Sequence, residues 1–293
     1  MGETIMDEGL LQLVIDAASS YSVDLTIYDE AFLAKSVKRG CDAAGINNPG
    51  DYCARLKESK AEAEIFFQSL RITYSRFFRN PMLFALLEQW IIPGVIRCAP
   101  AGGEVRLWSA GCSCGQEAYS LAMLLDDQLE SSGKDLRYRI FATDVSEQAL
   151  TAAREGVYSE ADVKNVPFKY MRAYFTEGEG RYAVSPRLKK NVGFSVYDLL
   201  DASSASPPES IFGSFDIVCC SNLMMYYKKN IRLLILKKIE RSISQPGFLA
   251  VGEAERAFVK SNGGFRPISV PAAVFRKPAC TQSVETEDFS FRS

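Results

Sequence analysis

Leu107-Trp108-Ser109-Ala110-Gly111-Cys112-Ser113-Cys114-Gly115-Gln116-Glu117 reads as the end of a buried strand, a tight turn of small residues and the start of a helix. Ala118, Leu121, Ala122 and Leu125 follow at helical spacing. Gly111, Ser113 and Gly115 carry little or no side chain, so a ligand can approach the backbone closely. A turn at the carboxyl end of a strand is where open α/β sheets bind nucleotide-like cofactors. Downstream, Tyr138 to Ala142 reads as a second strand ending in Thr143-Asp144. A carboxylate there suits the two hydroxyls of a ribose.

Outward from this turn the pattern alternates. Val105 to Ser109, Tyr138 to Ala142, Val192 to Val196, Phe215 to Cys220 and Phe248 to Val251 read as strands. Gln116 to Leu129, Glu147 to Glu155 and the stretch carrying Ile231, Leu234, Ile235 and Ile239 read as helices. Ser146 is placed to cap the second of these and Gly156 to close it. Such alternation predicts an α/β fold, a doubly wound, mostly parallel sheet covered on both faces. The run Phe215 to Cys220 is its central strand. Residues 157–191 break the rhythm and read as a helical piece with a small antiparallel excursion, and Phe265 to Arg276 supplies two last short strands. Pro246-Gly247 reads as a turn.

The region before the sheet is helical. Tyr28 to Ala44 reads as an amphipathic helix with Lys35, Lys38 and Arg39 on a basic face, and Asp51 to Leu56, Ala61 to Leu70 and Met82 to Trp90 as further helices, the last stopped by Pro93-Gly94. Between them, Thr73-Tyr74-Ser75-Arg76-Phe77-Phe78-Arg79-Asn80-Pro81 is too polar for a core and too aromatic for an ordinary loop. The expected organisation is a helical domain over 10–90, a linker over 91–103, an α/β domain over 104–278 with a small inserted subdomain at 157–191, and a flexible polar tail at 279–293.

Composition narrows the chemistry. A formal net charge of -2 gives no polyanion-binding surface, so no nucleic acid is expected. No apolar run reads as long enough to span a membrane, and Met1 to Glu8 lacks the marks of a signal peptide. A cytoplasmic protein with reduced thiols, a monomer, is the expectation for its 8 cysteines. Cys112-x-Cys114 has no second pair at zinc spacing, so no metal is expected. The chain contains 0 histidines, which excludes Ser-His-Asp and Cys-His catalysis and His-ligated metals.

The turn itself admits a ligand-free connection, a dinucleotide site or an S-adenosylmethionine site. Gly-x-Gly-x-x-Gly is absent in its usual form. Glu117 would repel a pyrophosphate but attract the sulfonium and ammonium of S-adenosylmethionine.

The segment Trp108 to Ser120 resembles the cofactor motif of the CheR-type chemotaxis receptor methyltransferases, usually Trp-Ser-Ala-Gly-Cys-Ser-Thr-Gly-Glu-Glu-Pro-Tyr-Ser. Thr73 to Arg79 is similar to that family's Asn-x-Thr-x-Phe-Phe-Arg, and Cys220 to Tyr227 to its Cys-Arg-Asn-Val-Met-Ile-Tyr-Phe. With Ala142 to Val145, the resemblance runs from about Tyr28 to Lys277. It implies the methyltransferase type of α/β fold, with methyl transfer from S-adenosylmethionine to glutamate side chains on chemoreceptor cytoplasmic helices, giving methyl esters and S-adenosylhomocysteine. It also implies that Asp144 holds the ribose, that Glu117 lies at the amino-acid end, and that Thr73, Ser75 and Arg79 reach in from the interdomain segment. Asp198, Leu199, Asn222 and Leu223 would flank the adenine. Arg79 and Tyr226 would border the methyl group as the catalytic pair. Departures are Ser221 for the family arginine, Gln116 for the first glutamate, and Gly252-Glu253-Ala254-Glu255 where Gly-His-Ser-Glu is common. Two alternatives remain at this point: a cofactor-binding or docking module without turnover, and a methyltransferase for another acidic protein or a small molecule.

Overall fold

A computed structural model describes residues 8–70, 75–204, 206–210, 214–268 and 272–278. Thr73 and the tail expected at 279–293 lie outside the described residues.

Four helices open the chain: α1 (Glu8–Ser19), α2 (Glu30–Ala44), α3 (Pro49–Glu58) and α4 (Lys60–Leu70). They enclose their own core, with Val14, Leu25, Leu33, Val37, Cys53, Leu56 and Phe66 buried. Helix α2 begins two residues later than its periodicity predicts, because the Asp29 side chain caps it by accepting from the N–H groups of Ala31 and Phe32. Tyr28, expected inside that helix, instead forms an antiparallel bridge with Tyr227. Lys35, Lys38 and Arg39 lie on the side of α2 away from that core, exposed or nearly so.

Pro93-Gly94 does not stop the next helix. α5 (Pro81–Leu86) passes through a π turn at Leu87–Ile91 into α6 (Ile92–Cys98). Proline has no N–H to give and crowds the carbonyl four residues back, and a wider turn just before it absorbs both defects. The expected linker over 91–103 is therefore helical to Cys98. Contrary to the expectation that no apolar run is long enough, among the described residues the run Pro81–Cys98 is long and apolar enough to cross a membrane. Its Leu83, Phe84, Leu87, Ile91, Ile92 and Ile96 are buried against the α/β core, while Met82 and Trp90 are exposed.

The rest is a layered α/β unit. β1 (Glu104–Ala110), α7 (Gln116–Ser132), β2 (Arg137–Asp144) and α8 (Glu147–Glu155) follow in turn. Ser146 caps α8 by accepting from Ala149 N–H at 3.2 Å, and Gly156 closes it at φ 58°. The excursion contains β3 (Val157–Ser159), α9 (Glu160–Val163), α10 (Phe168–Tyr174), β4 (Phe175–Gly178), β5 (Arg181–Val184) and α11 (Pro186–Lys189). Its strands pair antiparallel in the order β3-β5-β4. Then come β6 (Val192–Val196), β7 (Phe215–Cys220), α12 (Lys229–Ser242), β8 (Ile243–Val251), α13 (Glu253–Asn262), β9 (Arg266–Pro267) and β10 (Val274–Lys277). Pro246-Gly247 falls inside β8 rather than in a turn, at an irregularity in its pairing with β7. A bulge is where a strand tolerates a residue without N–H.

The main sheet runs β6-β2-β1-β7-β8-β10-β9, parallel except for β10 and β9. Chain order proceeds outward from β1 through β2 to β6 on one side, and from β7 to β8 on the other. The reversal lies between β1 and β7. A crevice opens there beyond the strand ends, the place where this class of sheet receives ligands.

Candidate active site

The turn after β1 is shaped by its backbone. Gly111 and Gly115 adopt φ values of 76° and 86°, which side chains resist. A Cβ on Gly111 would stand 3.1 Å from Leu223, and one on Gly115 would stand 2.9 Å from Ala153. The N–H groups of Gly111 and Cys112 both donate to the Thr143 carbonyl, at 2.8 and 2.9 Å, joining the turn to the end of β2. Asp144 completes the junction. Its Oδ2 accepts from Ser113 N–H and its Oδ1 from Ser146 N–H, each at 2.9 Å. The carboxylate is thus oriented by main-chain donors while each oxygen keeps room for a further partner.

Two adjoining cavities meet at Gly111, Asp144, Leu223 and Tyr226. One, with about 690 Å³ of space open on one side, is lined by Ser75, Arg76, Arg79, Glu117, Ser221 and Asn222 among others. The other, about 650 Å³, is lined by Tyr28, Val145, Tyr197, Asp198 and Leu199 among others. Every described residue that sequence reasoning assigned to the site lines one cavity or the other. Residues that the sequence does not assign, Val145 and Tyr28 among them, also line the second cavity. Nothing short-range marks Tyr28, because its place depends on pairing with Tyr227 far along the chain; their rings stack at 5.3 Å.

The segment before Arg79 divides its residues by chemistry. Phe77 is buried edge-on against Tyr158 at 4.8 Å, and Phe78 stacks on Tyr170 at 5.6 Å. Phe78 holds a left-handed φ of 50°, and its N–H donates to Ser120 Oγ at 3.1 Å. A bulky residue in that region is costly, and its neighbours hold it there. With the aromatics packed into the α/β core, Ser75, Arg76, Arg79 and Asn80 line the cleft. Arg79 is exposed, within electrostatic reach of Glu117.

Glu117 lies at the first turn of α7, where Ser109 Oγ donates to its Oε1 at 2.8 Å. Burial pushes its pKa up to about 7; the Ser109 hydroxyl and the charge of Arg79 oppose that, while Glu255 adds to it. Ser221 Oγ, beside it, is buried and makes no hydrogen bond among the described residues. A desolvated, half-buried carboxylate next to an orphaned hydroxyl fits a cationic, hydrogen-bonding ligand. An ammonium group meets both requirements. Asp144 lies at the junction between this pole and the Asp198–Leu199 pole, where a ribose would face it. The residues present therefore fit S-adenosylmethionine.

On the opposite wall, Tyr226 is half-buried, its ring 5.0 Å from Phe32, and its carbonyl accepts from Asp29 N–H at 2.9 Å. The helical region is thereby tied to the loop after β7. Glu255, to which sequence reasoning gave no role, accepts the N–H groups of Asn222, Leu223 and Met224 from beneath that loop. Its sequence signals are its match to the glutamate of the family's Gly-His-Ser-Glu and its place three residues after Gly252 at the start of a helix, the position of a capping-box glutamate.

The model of a family described as "CheR methyltransferase, SAM binding domain" matches residues 73–274. Among curated proteins, chemotaxis protein methyltransferase 1 of Pseudomonas aeruginosa is 31% identical over 216 residues, 72% of this chain and 76% of that protein. Chemotaxis protein methyltransferase Cher2 of Pseudomonas putida is 32% identical over 217 residues, 72% of this chain and 76% of that protein. An uncharacterized 104.1 kDa protein of Rhodobacter capsulatus is 28% identical over 262 residues, 89% of this chain. The chain spans only 27% of that relative's length.

Proposed function

The chain belongs to the CheR methyltransferase family, and on that premise we propose that it transfers the methyl group of S-adenosylmethionine to glutamate side chains on the cytoplasmic helices of chemoreceptors. The observation that carries this reading is the meeting of Arg79, Glu117, Asp144 and Tyr226 around two adjoining cavities at the sheet's switch point. A cytoplasmic location goes with that substrate.

S-adenosylmethionine supplies a methyl group already activated on a sulfonium centre. The chain's own task is placement. A glutamate acceptor is ionised near neutral pH, so no base is needed to make the nucleophile, and a chain with 0 histidines suffices. Arg79, exposed at the mouth of the cleft, receives the incoming carboxylate and compensates for the hydration it gives up. The Tyr226 hydroxyl orients it. Glu117 holds the ammonium at one end and Asp144 the ribose hydroxyls at the middle. Ser75 and the 222–223 loop close the walls, and Asp198 and Leu199 border the adenine. Positioning of this kind supplies much of a transfer rate, with electrostatics as a second contribution. The α1–α4 region, tied to Tyr226 through Asp29, lies over the cleft and favours a macromolecular acceptor presenting a side chain over a free small molecule.

Incubation with methyl-labelled S-adenosylmethionine and receptor cytoplasmic fragments tests the reading. Base-labile label on receptor glutamates is expected. Absence of label on every receptor fragment tried, with cofactor bound, would overturn it.

A further inference from the structure

The loop after β7 carries Asn222, Leu223 and Tyr226, which all line the cleft. Asn222 sits at φ 60°, and the short 3-10 turn at Met224–Tyr226 has no side-chain cap. The amides of Asn222 to Met224 point toward the start of α13.

Glu255 satisfies them with one side chain that is 2% exposed. Asn222 N–H donates to Oε2 at 2.9 Å, Leu223 and Met224 donate to Oε1 at 2.8 and 2.7 Å, and Gly252 donates to Oε2 at 2.8 Å. A fifth, longer contact runs from Met225 N–H at 3.4 Å. The loops after β7 and β8 are thus locked to one carboxylate. They also touch: a Cβ on Gly252 would come within 2.7 Å of Asn222 Nδ2. On the far side, Leu223 packs against Gly111 of the turn after β1.

We propose that Glu255 is a positioning residue for the cofactor, holding the Asn222–Met225 backbone in its binding shape before any ligand arrives. The proposal rests on the reading of this cleft as an S-adenosylmethionine site. A buried carboxylate is costly, and this one is offset by charge-assisted bonds to main-chain donors. An α13 capping box needs only the Gly252 bond. The three bonds to the opposite loop add nothing to the helix; they shape a wall of the cleft.

Glu255→Gln tests this. An amide keeps an acceptor on one side only and turns N–H donors against amide N–H groups on the other. Calorimetric titration with S-adenosylhomocysteine is expected to show binding weakened at least about tenfold. Glu253→Gln, at an exposed neighbour paired with Arg256, should stay within about twofold of wild type. In turnover, KM for S-adenosylmethionine rises about tenfold while kcat stays within about threefold. Wild-type affinity in Glu255→Gln, or a fall in kcat with KM unchanged, overturns the proposal. Failure of the wild type to bind S-adenosylhomocysteine would instead strike the cofactor reading. If Glu255→Gln does not fold, hydrogen exchange of the wild type decides. Amides 222–225 should be protected without ligand and gain less than about threefold on binding; amides that become protected only with ligand overturn it.

Discussion

Arg79→Ala should lower kcat/KM for receptor methylation about a hundredfold while leaving S-adenosylhomocysteine affinity within a few-fold. The magnitude is that of removing one aligned donor from a charged reaction centre. Phe78, held left-handed by Ser120 and Tyr170, leaves Arg79 at the cleft mouth with its neighbours Phe77 and Phe78 buried behind it. The side chain is exposed at the cleft, where a macromolecular carboxylate can reach it. Arg79→Lys keeps the charge but not the planar fork, so partial recovery is expected. Steady-state kinetics with receptor fragments, alongside calorimetry, separates the two effects. An equal loss of cofactor binding would move Arg79 from substrate to cofactor.

The second large effect is on pH. Glu117, with its pKa pushed up to about 7 by burial, must be ionised to hold an ammonium. Ligand affinity therefore rises as pH climbs through about 7 and falls below it. Between pH 8 and 5.5 the ionised fraction drops about thirtyfold, and S-adenosylhomocysteine affinity should follow. Glu117→Gln should flatten that dependence and bind at pH 8 as weakly as wild type does at pH 5.5. Stability should move the other way. A folded-state pKa above the ordinary carboxylate value means that folding favours the protonated form, so stability is lost as pH rises from about 4.5 through about 7. Glu117→Gln removes that loss and should unfold at a higher temperature than wild type at pH 8. Calorimetric titrations and melting curves across the pH series read both signs.

The contrast between what the sequence reveals and what it hides follows from range. The strands around Trp108, Phe141 and Val218 are legible because burial on both faces leaves near-continuous apolar runs. Asp144 is legible because a carboxylate ending such a strand has few other uses. Ser146 and Gly156 mark their helix by local chemistry alone. Pro93 misleads, since a π turn that accommodates a proline leaves no composition signal. Tyr28 is misplaced because its partner Tyr227 lies across the fold. Glu255 is hidden for a different reason: it acts on main-chain amides, and no side-chain pattern records which backbone a carboxylate will hold. The Phe77-Phe78-Arg79 segment looks anomalous in one dimension and resolves in three, with the aromatics in the core and the polar groups along the cleft.

The central claim is that the two cavities meeting at Asp144 hold one S-adenosylmethionine. A crystal structure with S-adenosylhomocysteine tests it most directly. The account predicts the amino-acid end beside Glu117 and Ser221, the ribose hydroxyls on Asp144 and the adenine against Val145 and Leu199. Ligand bound elsewhere, or in this cleft with its ribose away from Asp144, would contradict it.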